Sequence, residues 1–135
     1  MARGGIDNNG VMAFGTFYAD GSVSAVALAS ATIEGKGVVG NVVTLVGNNA
    51  CGYGGAGSPV FGKIEQYEDD GKMTIQFAGV AEVPGVSGKL PTAGGATTGY
   101  VVCNGSGAVS TATAGKTVIA VDNTASVNTA FVLLG

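Results

Sequence analysis

The sequence predicts an all-β protein: a small β-barrel or β-sandwich with an extended N-terminal arm or hairpin. Glycine occupies 25 of the 135 positions, so a helix of ordinary length is unfavourable almost everywhere in the chain. In the most regular stretches apolar and polar residues alternate, which is typical of strands with one buried face. Short stretches of this kind, separated by turn residues, favour a barrel or a sandwich.

The clearest local unit is a β-hairpin between residues 60 and 83. Met73, Ile75 and Phe77 alternate with polar residues, as expected of a strand. The turn is predicted at Glu-Asp-Asp-Gly, residues 68–71, because Asp-Gly accommodates the positive φ of a tight turn. Prolines and glycines then predict a turn-rich excursion up to residue 95. Further strands are predicted at 99–103, 108–113, 117–121 and 129–134.

Two segments are distinguished by their patterns. Residues 1–35 begin with a stretch rich in glycine and asparagine and continue with weak alternation. This segment is predicted to be an N-terminal arm, or a peripheral hairpin turning at Asp20-Gly21, that packs on something else. Residues 36–135 are predicted to form the β-barrel or β-sandwich domain.

The core and the cysteines follow from the same patterns. Phe61, Phe77 and Phe131 are predicted to lie in the core because they are large apolar residues in strand patterns. Cys51 and Cys103 lack the C-x-x-C spacing of zinc and redox sites. They are expected as half-buried thiols at strand ends, and a disulfide within or between chains stays open.

The composition excludes several classes of partner. Only 11% of residues are charged and the net charge is −3, so an unassembled chain would be poorly protected against association. The basic residues are scattered singly along the chain: Arg3, Lys36, Lys63, Lys72, Lys89 and Lys116. Direct binding to nucleic acid is therefore not expected, since it needs clustered cations. No stretch has the length of a membrane span or of a signal-peptide core, so neither membrane binding nor secretion is expected.

A glycine motif at residues 52–57 matches the G-x-G-x-x-G spacing of dinucleotide-binding loops. Gly52, Gly54 and Gly57 occupy the three glycine positions, but Ser-Pro-Val and a strand pattern follow them. A dinucleotide-binding loop must open a helix, whose N-terminus holds the pyrophosphate. We therefore interpret this stretch as a loop that needs glycine for its backbone. Residues 114–117, Ala-Gly-Lys-Thr, end like a P-loop but have Ser110 where its first glycine belongs.

No catalytic, cofactor-binding or metal-ligating residue is predicted. The chain has no histidine, which excludes serine–histidine and cysteine–histidine pairs. The acidic cluster of Glu65, Glu68, Asp69 and Asp70 lies in and beside the predicted hairpin turn. It lacks the spacing of a calcium-binding loop, and a turn does not bury a carboxyl group enough to make it a general acid. The protein is accordingly expected not to be an enzyme.

Several stretches together resemble the small capsid decoration, or cement, proteins of tailed bacteriophages. They are residues 57–64 (Gly-Ser-Pro-Val-Phe-Gly-Lys-Ile), the Glu-Asp-Asp-Gly turn, residues 74–79 (Thr-Ile-Gln-Phe-Ala-Gly), Val83-Pro84 and the closing Phe-Val-Leu-Leu at 131–134. The resemblance covers roughly residues 36–135. It implies a small β-barrel or β-sandwich on the outer surface of the expanded capsid, where it bridges major capsid subunits, commonly as a homotrimer.

The expected partners are therefore the phage major capsid protein and other copies of this chain, as a trimer or, alternatively, a dimer. Candidate capsid or subunit contacts are the apolar and aromatic residues of the N-terminal segment and one tyrosine of the glycine loop: Ile6, Val11, Phe14, Phe17, Tyr18 and Tyr53. Two alternatives stay open. One is a structural subunit of a phage tail or fibre, and the other is a carbohydrate-binding β-module that would use Tyr53 and Tyr100.

Overall fold

A computed structural model describes residues 12–23, 38–68, 70–91, 99–122 and 128–135. These residues form strands, turns and irregular stretches, without a helix among them, which confirms the all-β prediction. The strands are β1 (Ala13–Ala19), β2 (Val42–Gly47), β3 (Ala50–Gly52), β4 (Gly62–Tyr67), β5 (Lys72–Ala78), β6 (Val80–Pro84), β7 (Tyr100–Cys103), β8 (Val109–Ala112), β9 (Lys116–Asp122) and β10 (Thr129–Leu133).

The first five strands form a closed barrel in the order β1-β3-β2-β4-β5. The predicted hairpin is confirmed as the antiparallel pair of β4 and β5, and Gly71 N–H donates to Glu68 O (2.9 Å) in its turn. β1 pairs with β5 along most of its length but with β3 at only two positions, Tyr18 opposite Ala50 and Ala19 opposite Cys51. The barrel is therefore closed at one end of β1 alone.

The last five strands form a second sheet in the order β6-β10-β9-β7-β8. The strands predicted near 99–103, 108–113, 117–121 and 129–134 are confirmed as β7 to β10. An isolated parallel bridge joins Gly85, just after β6, to Val109 in β8. Because β6 and β8 are the two edges of the sheet, this bridge curls the sheet toward closure.

The chain passes from the barrel to the second sheet at Gly79. The alternating stretch from residue 72 to 83 is two strands rather than one, and buried Gly79 between them has a positive φ of 89°, which glycine adopts without steric cost. The side chain of Gln76 is only 2% exposed. Its Nε2 donates to the carbonyls of Ala78 (2.9 Å) and Val80 (3.4 Å). The crossover therefore has its own buried hydrogen-bond donor.

Two separate hydrophobic clusters form the core, one in the barrel and one under the second sheet. The barrel cluster contains Val23, Val38, Val43, Cys51, Ile64, Tyr67, Met73 and Ile75. The second contains Val42, Val60, Ala81, Val83, Leu90, Val101, Cys103, Val109, Val118, Ala130, Val132 and Leu134. Val42 and Val43 are adjacent in β2 but belong to different clusters, because successive side chains of a strand point to opposite faces.

The prediction of a phenylalanine core is wrong. Phe61, Phe77 and Phe131 are all half-buried, and the fully buried positions carry mainly valine and other aliphatic side chains. The rings of Phe61 and Phe77 stack at 5.6 Å, and the ring of Phe17 meets them edge-on. Of the three predicted core residues, Phe61 packs against the barrel cluster, in which the buried ring is that of Tyr67.

The cysteines are free and belong to different clusters. They are fully buried rather than half-buried as expected. Burial raises the pKa of each thiol to about 11, and the carboxylate of Asp20 adds to this effect at Cys51. Both side chains are therefore protonated at neutral pH and act as small apolar residues.

Part of the predicted N-terminal segment belongs to the barrel. β1 lies within residues 1–35, yet it pairs with β5 and β3 as a barrel strand. The predicted boundary at residue 35 therefore does not separate β1 from the domain. Residues 1–11 and 24–35 lie outside the described residues, so the prediction of an arm stays a prediction there.

We predict that Gln76→Leu lowers the free energy of unfolding by about 1–3 kcal/mol, because it removes two hydrogen bonds from a buried side chain to the carbonyls of Ala78 and Val80. Chemical denaturation monitored by circular dichroism measures this loss. Gln66→Leu is the matched control, since Gln66 is an exposed glutamine of neighbouring β4. Equal stability of the wild type and the Gln76→Leu variant would contradict the assigned role.

We predict that stability falls as pH rises from 9 toward 11. The thiols ionise near pH 9.0 when exposed but near 11 when folded, so alkaline pH favours the unfolded chain. Their contribution is complete below pH 9 and is lost as pH passes through the folded pKa. Denaturation under reducing conditions measures the slope against pH. A variant with both cysteines replaced by alanine should show a shallower slope; an unchanged slope would refute the assignment.

Candidate interaction surfaces

The glycine motif lies in the connection between β3 and β4, where several backbone amides already have protein acceptors. Gly55 N–H donates to Ser58 Oγ (3.0 Å), Ser58 N–H donates to Gly55 O (3.0 Å) and Gly57 N–H donates to Cys103 O (2.9 Å). Strand β4 follows the loop. A phosphate cradle requires free amides at a helix start, so this loop has a structural role instead.

The same loop connects the two sheets. Cys103 at the end of β7 exchanges backbone hydrogen bonds with it, since Cys103 N–H donates to Ser58 O (2.8 Å) while Cys103 O accepts from Gly57. A second contact joins β2 to the loop after β7, where Val42 N–H donates to Gly107 O (2.8 Å). The side chain of Asn104 shapes that loop by accepting from the amides of Ser106 (2.7 Å) and Ala108 (3.1 Å).

Tyr53 is half-buried beside the glycine loop. Its hydroxyl accepts a hydrogen bond from Asn41 Nδ2 (2.9 Å), and its backbone N–H donates to Ser22 Oγ (2.9 Å). Burial raises the pKa of the phenol, although the hydrogen bond from Asn41 opposes this shift. Tyr53 thus has structural contacts within its own chain, and its predicted role in capsid binding stays a prediction.

The aromatic residues of β1 divide between its two faces. Phe14 and Tyr18 are 48% and 53% exposed on the outer face. Phe17 points the other way and packs against the barrel cluster. Of the candidate contacts predicted in this segment, Phe14 and Tyr18 therefore lie together on one surface. Ile6 and Val11 lie outside the described residues.

A further apolar surface covers the second sheet on the side away from its core. One row crosses all five strands by direct pairing: Val80, Leu133, Thr117, Tyr100 and Ala112. Leu133, Ile119 and Tyr100 are exposed, and Phe131 is half-buried. We call the surface formed by Val80, Tyr100, Thr117, Ile119, Phe131 and Leu133 the outer sheet face.

The outer sheet face was not predicted from the sequence, although the pattern of apolar residues that indicates it is present. A solvated face of an antiparallel sheet normally alternates polar side chains with core residues. Here the positions that alternate with core Val101, Val118 and Val132 are instead mostly apolar. The charged outward residues Glu82 and Asp122 lie toward one end, beyond the row that contains Leu133.

The charged side chains of the hairpin form weak pairs at the surface. Lys63 lies 3.8 Å from Glu65, and Lys72 lies 3.5 Å from Asp70. The backbone N–H of Lys72 holds the pKa of Asp70 below its usual value. Within the described ranges, no group of three or more Cys, Asp or Glu side chains could hold a metal ion. The described residues contain no helix long and apolar enough to cross a membrane.

These observations define the class of the protein as an all-β barrel-and-sheet protein that exposes apolar strand surfaces. Comparisons with protein-family models, with curated proteins and with solved structures found no match. The function is therefore inferred from the surfaces themselves.

We predict that Gly52→Ala lowers the free energy of unfolding by about 1–3 kcal/mol, the usual cost of overpacking. A Cβ at Gly52 would overlap the carboxylate of Asp20, whereas a Cβ at Gly55 in the same loop meets no atom within 4 Å. Gly55→Ala is therefore the matched control and should leave stability nearly unchanged.

Thermal or chemical denaturation compares the two variants. In the double variant with Asp20→Ala, the loss should be smaller than the sum of the single losses, because the overlap is relieved. Additive losses, or an equal effect of Gly55→Ala, would show that the contact with Asp20 is not the cause.

Proposed function

We propose that this protein is a non-enzymatic structural protein of a tailed-phage virion. In this proposal it binds the outer surface of the capsid and stabilises the expanded shell by bridging major capsid subunits. The resemblance of residues 36–135 to capsid decoration proteins supplies the class. The outer sheet face supplies the observation that carries the proposal, because it is a broad apolar surface on a weakly charged chain.

The outer sheet face is better suited to contact with a protein partner than to exposure to water. Leu133 is 43% exposed, and its paired neighbours in the row are Val80 and Thr117. Contiguous apolar patches of this kind mark interaction sites on soluble proteins. Because these side chains are already more than half buried, covering the rest of each one contributes about 1 kcal/mol.

A repeating shell suits contacts of this strength. A decoration protein that touches several capsid subunits, or that associates with its own copies, gains affinity by avidity without any single strong contact. Phe14 and Tyr18 on the outer face of β1 supply a second exposed aromatic surface. They are proposed as capsid or subunit contacts, as is Tyr53.

The chemistry of the chain also favours a structural role. The sequence has no histidine, the commonest side chain for acid–base catalysis near neutral pH. The buried thiols have raised pKa values, and a cysteine nucleophile requires the opposite shift.

A carbohydrate-binding module is the second candidate, and Tyr100 is the observation that favours it. Its ring is exposed on the outer sheet face, and sugars commonly stack on exposed aromatic side chains. Tyr53, the other candidate platform, is half-buried with its hydroxyl engaged by Asn41. The tail or fibre subunit would use the same apolar surfaces to form rings or rods.

We predict that Leu133→Glu weakens binding to expanded capsids that lack the protein by at least about tenfold, because it removes apolar contact and places an unpaired carboxylate in the interface. Co-sedimentation with such capsids measures the affinity and the number of copies bound. Leu45→Glu is the matched control, because Leu45 is a similarly exposed leucine (50%) on β2 of the barrel.

Saturable binding at a stoichiometry set by capsid symmetry, lost in Leu133→Glu and kept in Leu45→Glu, supports the proposal. Absence of binding by the wild type at every concentration would overturn it. Polymerisation into tubes would favour the tail subunit, and retention on glycans that is abolished by Tyr100→Ala would favour the carbohydrate-binding module.

A further inference from the structure

We propose that the N-terminal half of β1 is a strand-addition edge that pairs antiparallel with the same edge of a second copy of this chain. This contact is separate from the outer sheet face and does not depend on the proposed capsid partner.

The direction of the backbone groups in β1 is fixed by its hydrogen bonds. Ala19 N–H donates to Gly71 O (2.8 Å) on the β5 side, whereas Tyr18 N–H donates to Asn49 O (2.6 Å) on the β3 side. Because backbone groups alternate in direction along a strand, the N–H and C=O groups of Phe14 and Thr16 point away from β5. They face the side on which β3 lies.

Strand β3 does not extend far enough to pair with those groups. Its pairing with β1 begins at Tyr18 opposite Ala50 and continues only to Ala19. Among the described residues, none pairs with Phe14 or Thr16 on that side. Within the described part of the chain, two donors and two acceptors are therefore presented in the spacing of a strand edge, and an extended peptide is the ligand that matches them.

The other edges of the fold are protected, which distinguishes β1 from them. Just after β6, Gly85 N–H donates to Asn128 O (2.8 Å) on the β10 side. Because backbone groups alternate in direction, the N–H and C=O groups of the even-numbered residues of β6 point away from β10, to the open side. There Pro84 has no N–H, Glu82 is charged and exposed, and Gln76 caps the carbonyl of Val80. Proline and charge at an edge oppose strand addition.

The edge of β8 is covered by the chain that follows β6. Val86 N–H donates to Val109 O (2.9 Å), and Thr111 N–H donates to Lys89 O (2.6 Å). By contrast β1, with the sequence Ala-Phe-Gly-Thr-Phe-Tyr-Ala, contains neither a charge nor a proline. It therefore lacks the charge and the proline that discourage edge-to-edge pairing, and its one irregularity is a register shift against β5 between Ala13 and Phe14.

A second copy is the occupant that this edge fits best. Pairing of a strand with itself places identical charges near one another, which is unfavourable, but β1 has none. A two-fold axis at Gly15 sets Phe14 opposite Thr16 of the second copy and satisfies all four open backbone groups. Two glycines then meet at the position of closest approach, where the absence of Cβ atoms removes any clash.

The exposed side chains reinforce the pairing. Phe14 and Thr16 lie on the outer face of β1, so each Phe14 ring can cover Thr16 across the interface. Such an isologous contact uses one patch on both copies and closes as a dimer. It therefore favours the dimer over the trimer that the resemblance to decoration proteins implies.

Thr16→Lys tests the proposal on the purified protein, with Thr74→Lys as the matched control. Thr16 and Thr74 face each other across β1 and β5, but Thr74 is paired on its other side with Gln66 of β4. The two variants thus introduce the same charge on the same outer face, and only one of them does so at the open edge.

Light scattering of each protein over a concentration series measures the mass in solution. We expect a dimer for the wild type and for Thr74→Lys, and at least about tenfold weaker dimerisation for Thr16→Lys. A wild type that is monomeric throughout, a mass of three copies, or equal weakening by both variants would overturn the proposal.

Amide hydrogen exchange of the wild type tests the same contact without a substitution. The amides of Phe14 and Thr16 should gain protection as concentration rises, while the amide of Tyr18, already bonded to Asn49, should change little. Unprotected amides at Phe14 and Thr16 in the associated protein would contradict strand pairing. Failure to bind capsids has no bearing on either measurement, so the two proposals fail separately.

Discussion

The buried amide of Gln76 is the interaction on which the two-sheet arrangement depends. A strand that leaves one sheet and enters another exposes backbone carbonyls at the change of direction, and burying them without a donor is costly. Gln76 Nε2 reaches the carbonyls of Ala78 and Val80 on either side of Gly79. One glycine and one glutamine thereby allow a continuous alternating sequence to serve two sheets.

The two cores on either side of that crossover are packed mainly with small and medium-sized aliphatic side chains. The two hydrophobic clusters consist mostly of valine and other aliphatic residues, and four of the five phenylalanines are half-buried while Phe14 is exposed. The glycine loop after β3 joins the two sheets through its hydrogen bonds to Cys103. Of the glycines that imitate a dinucleotide motif, Gly54 and Gly57 have a positive φ and Gly52 leaves no room for a Cβ beside Asp20.

The surfaces divide into protected and unprotected parts. At β6 and β8 the edges carry proline, charge, a side-chain cap or a covering segment, whereas β1 and the outer sheet face carry apolar and uncharged residues. Covering such surfaces lowers the free energy of a protein in water. Both proposals, capsid binding and pairing with a second copy, rest on covering these surfaces.

The sequence by itself determined the strand class, the β4–β5 hairpin and the positions of β7 to β10, because these depend on local periodicity and on turn residues such as Asp70-Gly71. It did not determine which strands share a sheet. The barrel membership of β1, the division at Gly79, the valine cores and the two apolar surfaces depend on pairing between residues distant in the chain. A period of two identifies opposite faces of a strand, yet it does not say which face is buried or what it is buried against. Only the tertiary structure decides that, because burial is a property of the assembled sheets.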